Sequence, residues 1–370
     1  MKTVTIKRKI ALEALDLGGS FAGKNKVIPI TDCVKCKFSP NGTFVVSSHD
    51  GSHAIVKRVE CVTCSEESVF CVNYADFTKA LKSLSCEDVT LEINNTLLTF
   101  VHKKGKIELP IFGVEEFPNV ELGEAKREIL VPSLTLKEWF STARNFVATD
   151  EVRLSMCGMY LYIKNNEVGV CATDGHKLYA DSYINEGYEN DDLSAIIPSV
   201  CFSPILGVIG DSDNVNVTLY GRNITFGTSD TQITCLLHEA RYPNFKAVIP
   251  QLHTIEVEYS VSELYESVSR ICTVTNLATR LVKMDIRGMN MLLECNDVDF
   301  ARKANEECMC TNSGGDIVLG VNGEVLCACL GAINEDKVVM RLTAPESAVV
   351  LHDTNSPRKT LLFMPLMLTE

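Results

Sequence analysis

The sequence predicts an α+β protein of three tandem domains, each with two helices packed on antiparallel sheets. The main reason is a block that occurs three times: a helix-like segment, then two runs in which apolar and polar residues alternate around a tight turn. Alternation with period two on either side of a short turn is typical of a β-hairpin. The first apolar strand positions are Val89, Val215 and Val338, which are 126 and 123 residues apart. This interval predicts one fold repeated three times.

Two further landmarks recur at the same interval. Each third has a predicted turn at a matching place, with aspartates at Asp50, Asp174 and Asp297, which are 124 and 123 residues apart. Each third also closes on an apolar residue and a proline, at Pro118, Pro243 and Pro365, which are 125 and 122 residues apart. We therefore predict domains at 1–122, 123–250 and 251–370.

Within each domain the predicted order is strand, helix, strands, helix and hairpin. Apolar residues at helical spacing predict a first helix over 7–17, with equivalents at 134–146 and 262–272. The second and third of these follow the strand-like segments REILVP and IEVEYS. In the later domains, further helices are predicted over 199–209 and 321–333, directly before the hairpins.

Composition predicts a folded, soluble, cytoplasmic protein. Apolar residues make up 46% of the chain, yet no run approaches the ~18 apolar residues of a membrane span. The N-terminus MKTVTIKRK has no apolar run behind it, so no secretory signal is expected. The 16 cysteines are then expected to be reduced thiols that act as small hydrophobic residues. The net charge of −13 disfavours phosphate binding over the whole surface but permits a local basic face.

Two CxxC pairs, Cys33/Cys36 and Cys61/Cys64, imitate a zinc site. Both pairs lie in β-like runs, where residues three apart face opposite sides of a sheet. The gap between the pairs is also longer than the usual zinc-ribbon spacing. We therefore predict no metal site and no cofactor.

The segment Gly18–Asn25 nearly matches the phosphate-binding pattern GxxxxGK[ST]. Asn25 replaces the hydroxyl residue that would reach Mg²⁺. The context is also inverted, because a helix precedes the loop and a predicted strand containing Pro29 follows it. The plainer interpretation is a glycine-rich connector that carries two exposed lysines, Lys24 and Lys26.

The segment ATDGHKL at 172–178 brings Asp174 and His176 onto one strand face, as a general-base dyad or part of a metal site would require. A dyad also needs a nucleophile or a third ligand, and the chain has no G-x-S-x-G and no HExxH pattern. A metal- or nucleotide-dependent enzyme using Asp174/His176 or the Gly18–Asn25 loop stays the alternative function. A hairpin turn with a surface histidine is the structural interpretation.

Four motifs together resemble the beta sliding clamp family of bacterial DNA polymerase III: ATDGHKL, YPNFKAVIP at 242–250, FMPLML at 363–368 and FPN at 117–119. The resemblance covers the full length, with the motifs in order within the threefold repeat. It implies a non-catalytic processivity factor that encircles duplex DNA without reading its sequence. Two chains would join head to tail into a ring of six domains, with helices inside and sheets outside.

The resemblance also implies site residues, none of them catalytic. A hydrophobic pocket between the central and C-terminal domains would bind short linear motifs of the replicative polymerase and the clamp loader. Its predicted wall is Met156, Thr173, Gly175, His176, Lys177, Leu178, Pro243, Ala247, Val248, Leu362, Met364, Pro365, Leu366 and Met367. The family commonly has arginines at the positions of Ala247 and Met367, and Thr369-Glu370 extend past the usual end, so peptide preference is expected to differ.

Two more sets of residues follow from the ring. The predicted DNA contacts are basic side chains, mostly of the inner helices: Lys9, Lys24, Lys79, Lys82, Lys137, Arg144, Arg153 and Arg270. The predicted dimer interface packs Ile107 and Leu109 of one chain near Thr273 and Val274 of the other. Phosphate contacts without base contacts would let the ring slide. The sequence does not identify the host, the cognate polymerase or a role for the thiols.

Overall fold

The structure is a computed structural model that describes residues 2–25, 27–60, 63–210, 213–352 and 356–368. The first third contains β1 (Lys2–Lys7), α1 (Arg8–Gly18), β2 (Cys33–Ser39), β3 (Thr43–His49), β4 (Ala54–Glu60), β5 (Thr63–Cys64), β6 (Ser68–Asn73), α2 (Tyr74–Ser83), β7 (Asp88–Ile93), β8 (Leu97–His102) and β9 (Gly105–Phe112). The predicted Thr369-Glu370 extension lies outside the described residues.

Apart from the two-residue strand β5, the same order of elements follows twice more along the chain. The middle third contains β10 (Arg127–Pro132), α3 (Ser133–Ala143), β11 (Gly158–Lys164), β12 (Glu167–Thr173), β13 (Lys177–Ile184), β14 (Asp192–Pro198), α4 (Phe202–Ile209), β15 (Asn214–Leu219), β16 (Asn223–Gly227) and β17 (Thr231–Leu236). The last third contains β18 (Ile255–Ser260), α5 (Val261–Cys272), β19 (Leu281–Arg287), β20 (Asn290–Asp297), β21 (Arg302–Asn312), β22 (Ile317–Asn322), α6 (Gly323–Leu330), β23 (Lys337–Leu342), β24 (Val349–His352) and β25 (Thr360–Phe363). The predicted α+β class, with two helices in each third, is confirmed.

The chain divides into two compact units. Unit 1 joins residues 1–140 with 200–237, and unit 2 joins residues 141–199 with 238–370. The antiparallel sheet of unit 1 has the order β10-β15-β16-β17-β4-β3-β2-β6-β9-β8-β7-β1-β5, and that of unit 2 has the order β14-β11-β12-β13-β25-β24-β23-β18-β21-β20-β19-β22. Each unit combines part of the predicted central domain with one neighbour, because the sheets run on across the predicted boundaries. The three-domain boundaries remain a prediction.

Helix α5 shows why these segments are helical. Leu264, Val268 and Ile271 recur at spacings of three and four and are buried on one face. The Ser260 side chain caps the helix by accepting a hydrogen bond from the Glu263 amide at 3.4 Å. Burial of the apolar stripe and satisfaction of the first-turn amides both favour the helix over an extended segment.

The core of unit 1 packs both helices of the first third against the sheet. Leu15 of α1 and Phe77 of α2 are buried among the strand residues. Phe38 and Phe44 stack with ring centroids 4.3 Å apart, and Phe77 meets Phe100 edge to face at 5.7 Å. Aromatic pairs in these geometries add ~0.5–1.5 kcal/mol beyond the area that they bury.

Two predicted local features are wrong. Asn296 and Asp297 do not form a turn, because they continue β20, where Asp297 pairs with Arg302 across the β20–β21 hairpin. Pro29 does not enter a strand, because Pro29–Asp32 form a 3₁₀ turn in which the Thr31 amide donates to the Ile28 carbonyl at 3.1 Å. Proline suits the first position of such a turn, since its missing amide would have no partner there.

In the part of the chain that the structure describes, no helix combines the length and apolar character needed to cross a bilayer.

Candidate functional site

A cavity of about 170 Å³ in unit 2 is lined mainly by apolar side chains. Its walls come from the β12–β13 turn, the segment after β17 and the end of β25, and Met156 just before β11 completes the lining. The lining residues are Met156, Thr173, Gly175, His176, Lys177, Leu178, Pro243, Asn244, Phe245, Val248, Leu362 and Met364. Small-molecule sites usually measure ~300–1,000 Å³. The cavity is therefore suited to a few apolar anchors rather than to a whole cofactor.

The β12–β13 turn is fixed by its own hydrogen bonds. The Asp174 carboxylate accepts from the amides of His176 at 2.8 Å and Lys177 at 2.9 Å. The Thr173 hydroxyl donates to the Lys177 carbonyl at 2.7 Å. Gly175 has φ +92°, a conformation that favours glycine because it has no Cβ. These contacts keep the exposed His176 side chain at the edge of the cavity.

The second wall is anchored by an aromatic cluster. The buried Tyr242 hydroxyl donates to the Cys171 carbonyl at 3.2 Å, and its ring stacks on Tyr160 at 4.6 Å. Phe245 lies 6.0 Å from the ring of Tyr162. Because Tyr242 and Phe245 are held on β11 and β12, this segment can line the cavity with Pro243, Asn244, Phe245 and Val248. The motif YPNF thus combines two anchoring aromatics with lining residues.

The third wall is the last strand, β25, which pairs with β13. Beyond the strand, the Met364 amide donates to the His176 carbonyl at 2.8 Å and holds Met364 beside the turn. The Leu366 amide then donates to the Gly320 carbonyl at 2.8 Å, which leads the chain away towards β22. Only the first part of FMPLML therefore lines the cavity.

Ten of the fourteen residues of the predicted wall line this one cavity. Ala247, Pro365, Leu366 and Met367 do not line it. Leu366 is bonded to Gly320, and Met367 is 88% exposed to solvent. Asn244 and Phe245 line it although they were not predicted, and the signal was available because they stand between predicted lining residues. The role of these residues in binding a peptide remains a prediction.

Unit 1 has a cavity of about 300 Å³ at the same place in the repeat. It is formed by the end of β3, the start of β4, the segment 117–122 that contains FPN, and the strand β17. Its lining includes the polar side chains of Lys35, Ser47, His49, Gln232 and Thr234. Of these two cavities, the one in unit 2 has the apolar lining, which makes it the better candidate for apolar anchors.

Comparison with known proteins identifies the family. The model of the DNA polymerase III beta subunit central domain matches residues 130–244, and the model of its C-terminal domain matches residues 246–367. The chain belongs to the DNA polymerase III beta subunit family. The resemblance of the sequence motifs is thereby confirmed.

Relatives of this family match almost the whole chain. The beta sliding clamp of Escherichia coli strain K12 is 22% identical over 366 residues, which are 98% of this chain and 99% of that protein. The Pseudomonas aeruginosa sliding clamp bound to griselimycin has a TM-score of 0.93 at 21% identity, over 99% of this chain and 100% of that one. The Thermotoga maritima beta subunit has a TM-score of 0.90 at 20% identity, with both chains fully covered.

The family membership makes the chain a sliding clamp, that is, a processivity factor of DNA replication. It is a non-catalytic accessory subunit of DNA polymerase III, and its partners are in general DNA and the polymerase. The alternative of a metal- or nucleotide-dependent enzyme has no support. In particular, the Asp174 carboxylate serves the turn and pairs with Lys177 Nζ at 3.5 Å.

The Gly18–Asn25 connector of this beta subunit is packed as a structural turn. An added Cβ at Gly18 would lie 2.9 Å from the Val46 side chain of β3. Asn25 accepts the Val27 amide at 2.8 Å, and its side-chain amide donates to the Asp50 carbonyl at 2.7 Å. These contacts use the polar groups of Asn25 within the protein. Lys24 is exposed and lies 4.9 Å from the Phe21 ring, whereas Lys26 lies outside the described residues.

The CxxC pairs show no shared site among the described residues. Cys33 and Cys36 are buried in β2, and Cys64 is half-buried in β5, while Cys61 lies outside the described residues. Burial raises the pKa of the Cys33 thiol to about 11. These thiols therefore stay protonated and pack as small apolar groups.

Among the described residues, the fold brings together a His/Cys cluster that no sequence motif predicted. His53, Cys201 and Cys235 are all buried, and their potential ligand atoms lie within 4.8 Å of one another. His53 Nδ1 lies 3.3 Å from Cys201 Sγ and accepts the Leu236 amide at 3.1 Å. The amide uses the lone pair that an ion at Nδ1 would need, so the cluster is a hydrogen-bonded part of the core.

The predicted DNA contacts differ in their surroundings. The exposed residues are Lys9, Lys24, Lys79, Lys82, Arg144, Arg153 and Arg270, while Lys137 is half-buried. Lys9 lies 3.8 Å from Glu13 on α1, so its charge is partly balanced. Arg270 makes two hydrogen bonds to the Glu306 carboxylate, at 2.8 and 2.7 Å, which occupy the guanidinium within the chain. This pairing lowers the pKa of Glu306. Their role in DNA contact remains a prediction.

Proposed function

We propose that two copies of this clamp join head to tail into a ring around duplex DNA, and that the unit 2 cavity holds apolar anchors of the replicative polymerase and the clamp loader. The observation that carries the tethering role is the apolar cavity built by four separate segments of the chain. Met156 and Met364 line it, and methionine adapts its shape to different ligands. One cavity can thereby serve several peptides that each insert a few anchors.

The cavity edge also suits a polar end of such a peptide. His176 is exposed there, and Arg153 approaches within 3.0 Å of a Cβ added at Gly175. Lys177 is partly screened by Asp174. A peptide with apolar anchors and an acidic or carboxylate group beside them would therefore match both the lining and the rim.

The internal repeat supports the head-to-tail dimer. In unit 1, the last hairpin strand of the middle third, β17, pairs antiparallel with β4 of the first third. In unit 2, the equivalent strand of the last third, β25, pairs antiparallel with β13 of the middle third. The remaining equivalents are β9 and β21. By the same rule, β9 of one chain would pair antiparallel with β21 of its partner.

Both strands have a free edge over most of their length in the described structure. β9 pairs with β8 along residues 105–110 and with β6 only at residues 111–112. β21 pairs with β20 along residues 302–309 and with β18 only at residues 310–312. Unpaired edges invite pairing with another chain, and a closed ring would remove them.

Hydrogen-bond phase shows which groups of β9 face the open edge. The Ile111 amide donates to the Thr96 carbonyl, so Leu109 and Ile107 also face β8 with their amides. The amides of Lys106 and Glu108 then point to the open edge. Ile107 and Leu109 place their side chains against the unit 1 core instead. We call the proposed contact between β9 of one chain and β21 of its partner the seam. Ile107 and Leu109 then stabilise β9 from the core side of the sheet. Thr273 and Val274, just past α5, lie near the seam on the partner chain.

DNA would be held by enclosure with weak phosphate contacts. Lys79 and Lys82 of α2 are exposed, and the short helices α4 and α6 have no Lys or Arg. Such a sparse basic lining on an acidic chain suits sliding, because few phosphate contacts have to be broken at each step. The proposal includes three domains at 1–122, 123–250 and 251–370 and a cytoplasmic location.

Mass and particle images test the ring directly. We expect light scattering at micromolar concentration to give twice the chain mass of 40.8 kDa, and single-particle images to show an aperture. A monomer, or a dimer without an aperture, would refute the ring. Neither result would affect the tethering role, which is tested separately through the cavity.

A further inference from the structure

Helices α5 and α6 bring two half-buried cysteines together in unit 2. Cys272 is the last residue of α5, and Cys327 lies in the second turn of α6. A Cβ added at Gly323, the first residue of α6, would lie 2.3 Å from Cys272 Sγ, so this thiol packs directly on the start of α6. Cys327 is four residues after Gly323 and therefore lies on the same helix face, one turn further along.

The Cys327 thiol in turn contacts a side chain of α5. Its Sγ lies 3.6 Å from the Ser269 hydroxyl, and Ser269 is three residues before Cys272 on the same face of α5. Each thiol also shifts the pKa of the other. Cys272 and Cys327 therefore lie next to each other between the two helices.

The groups around the two thiols shift their pKa values in opposite directions. Hydrogen bonds from Cys272 and Ser269 stabilise the Cys327 thiolate and lower its pKa to about 7, although burial and the nearby Glu324 act against this. The same contact with Cys327 raises the pKa of Cys272, together with burial. Glu324 is itself paired with Arg280 at 3.1 Å. Because the thiolate is the nucleophile, Cys327 is suited to react first and Cys272 second.

We propose that Cys272 and Cys327 are an oxidation site at which a hydroperoxide forms an intramolecular disulfide. The Cys327 thiolate attacks one peroxide oxygen, the O–O bond breaks, and hydroxide or alkoxide leaves. The sulfur is oxidised to the sulfenic acid and the peroxide is reduced. Cys272 sulfur then attacks Cys327 sulfur, the S–S bond forms, and the S–O bond breaks. The Cys272 proton leaves with the hydroxyl group as water.

Most other thiols of the described chain lack this combination. Cys36, Cys171, Cys201 and Cys329 are buried in the cores, and burial raises the pKa of Cys171 and Cys329 to about 12. Cys86 is half-buried like Cys272 and provides a matched comparison. Peroxide should therefore oxidise the α5–α6 pair first, because both cysteines are partly exposed to solvent and each has a second thiol beside it.

A disulfide here would tie the end of α5 to α6 and close a loop of chain between residues 272 and 327. Cross-links of this kind restrict the unfolded chain and so raise the temperature of unfolding. A dithiol reductant would reverse the change. The proposal rests on the α5–α6 geometry and does not depend on the ring or on the peptide site.

The test uses the reduced full-length protein treated with hydrogen peroxide at neutral pH. Peptide mapping without reduction should show the segments containing Cys272 and Cys327 joined, with the loss of two thiols and two hydrogens per chain. The unfolding midpoint should rise and return after treatment with a dithiol. A first disulfide elsewhere, a link between two chains, or sulfinic acid at Cys327 without a disulfide would overturn the proposal.

Variants separate the pair from general oxidation. Cys272→Ser and Cys327→Ser should each abolish the disulfide, whereas Cys86→Ser should form it at the rate of the unchanged protein. Ser269→Ala retains both thiols but loses one hydrogen bond to Cys327, so disulfide formation should slow about threefold. An unchanged rate in Ser269→Ala, or a rapid loss of two thiols in either cysteine variant, would contradict the assigned roles. If the serine variants fail to fold, Ser269→Ala and the map of the unchanged protein decide.

Discussion

At the residue scale, the unit 2 cavity depends on polar side chains that form hydrogen bonds to the backbone of the β12–β13 turn. Asp174 accepts two amide hydrogen bonds within its own turn, and Thr173 bonds back to the Lys177 carbonyl. Asp174 and His176, which resemble a catalytic dyad in the sequence, thus belong to the turn at the edge of the unit 2 cavity. Short polar side chains commonly bond to nearby backbone in this way, and that use competes with catalysis.

Two methionines near the end of the chain allow a substitution inside the cavity to be compared with the same substitution outside it. Met364 lines the cavity, and Met367 is 88% exposed and does not. We expect Met364→Ala to weaken binding of a fluorescent peptide with the clamp-binding motif of the replicative polymerase about tenfold, which is about 1.4 kcal/mol, because an apolar anchor loses its contact. Fluorescence anisotropy measures the change.

Met367→Ala is the control and should bind the peptide as the unchanged protein does. Both variants should unfold at similar temperatures, because neither methionine is in the buried core. Equal peptide affinity of the two variants would mean that the peptide site lies elsewhere.

At the element scale, the last strand of the middle third and the last strand of the final third each pair with an equivalent strand of the preceding third. β17 pairs with β4 and β25 pairs with β13, so each third of the chain is joined to the next one by a pair of strands. In the proposed ring, β9 of one copy would pair with β21 of the other. Pro110 lies on the β9 edge that lacks a partner, which is where a strand tolerates the loss of an amide donor.

A proline substitution tests this seam. Glu108 is exposed, and its amide faces the open edge of β9, so Glu108→Pro should keep the β8 bonds but remove one donor from the seam. We expect the dimer dissociation constant to rise about tenfold, from one lost hydrogen bond and local strain. Analytical ultracentrifugation over a concentration series measures it. Glu108→Ala is the control and should leave the dimer intact; an equal effect of both variants, or of neither, would contradict pairing through this edge.

At the scale of the whole molecule, the proposed ring would be retained on DNA by enclosure more than by affinity. The chain has a net charge of −13, and its predicted DNA contacts are few. Arg270 is already held by Glu306. An acidic body with a sparse basic lining would avoid binding DNA from outside, and enclosure would then retain the ring on the duplex.

This predicts that retention depends on the shape of the DNA. Rings loaded on circular duplex by the clamp loader should stay bound when salt is raised, and should be lost once the DNA is cut into a linear molecule. Gel filtration of labelled protein with DNA measures the retained fraction. Direct binding to linear DNA should be weak and should fall steeply with salt. Equal retention on linear and circular DNA would exclude sliding by enclosure.

The sequence by itself determined the repeat, the α+β class and the family, because period-two alternation and recurring turns are local patterns. It also located most of the cavity wall, since ATDGHKL and YPNF carry the lining residues in short motifs. Tertiary structure decided the rest. Leu366 bonds to Gly320, Arg270 pairs with Glu306, and Cys272 meets Cys327, each across 36 or more residues. Such contacts depend on strand register and helix packing, which no local pattern encodes.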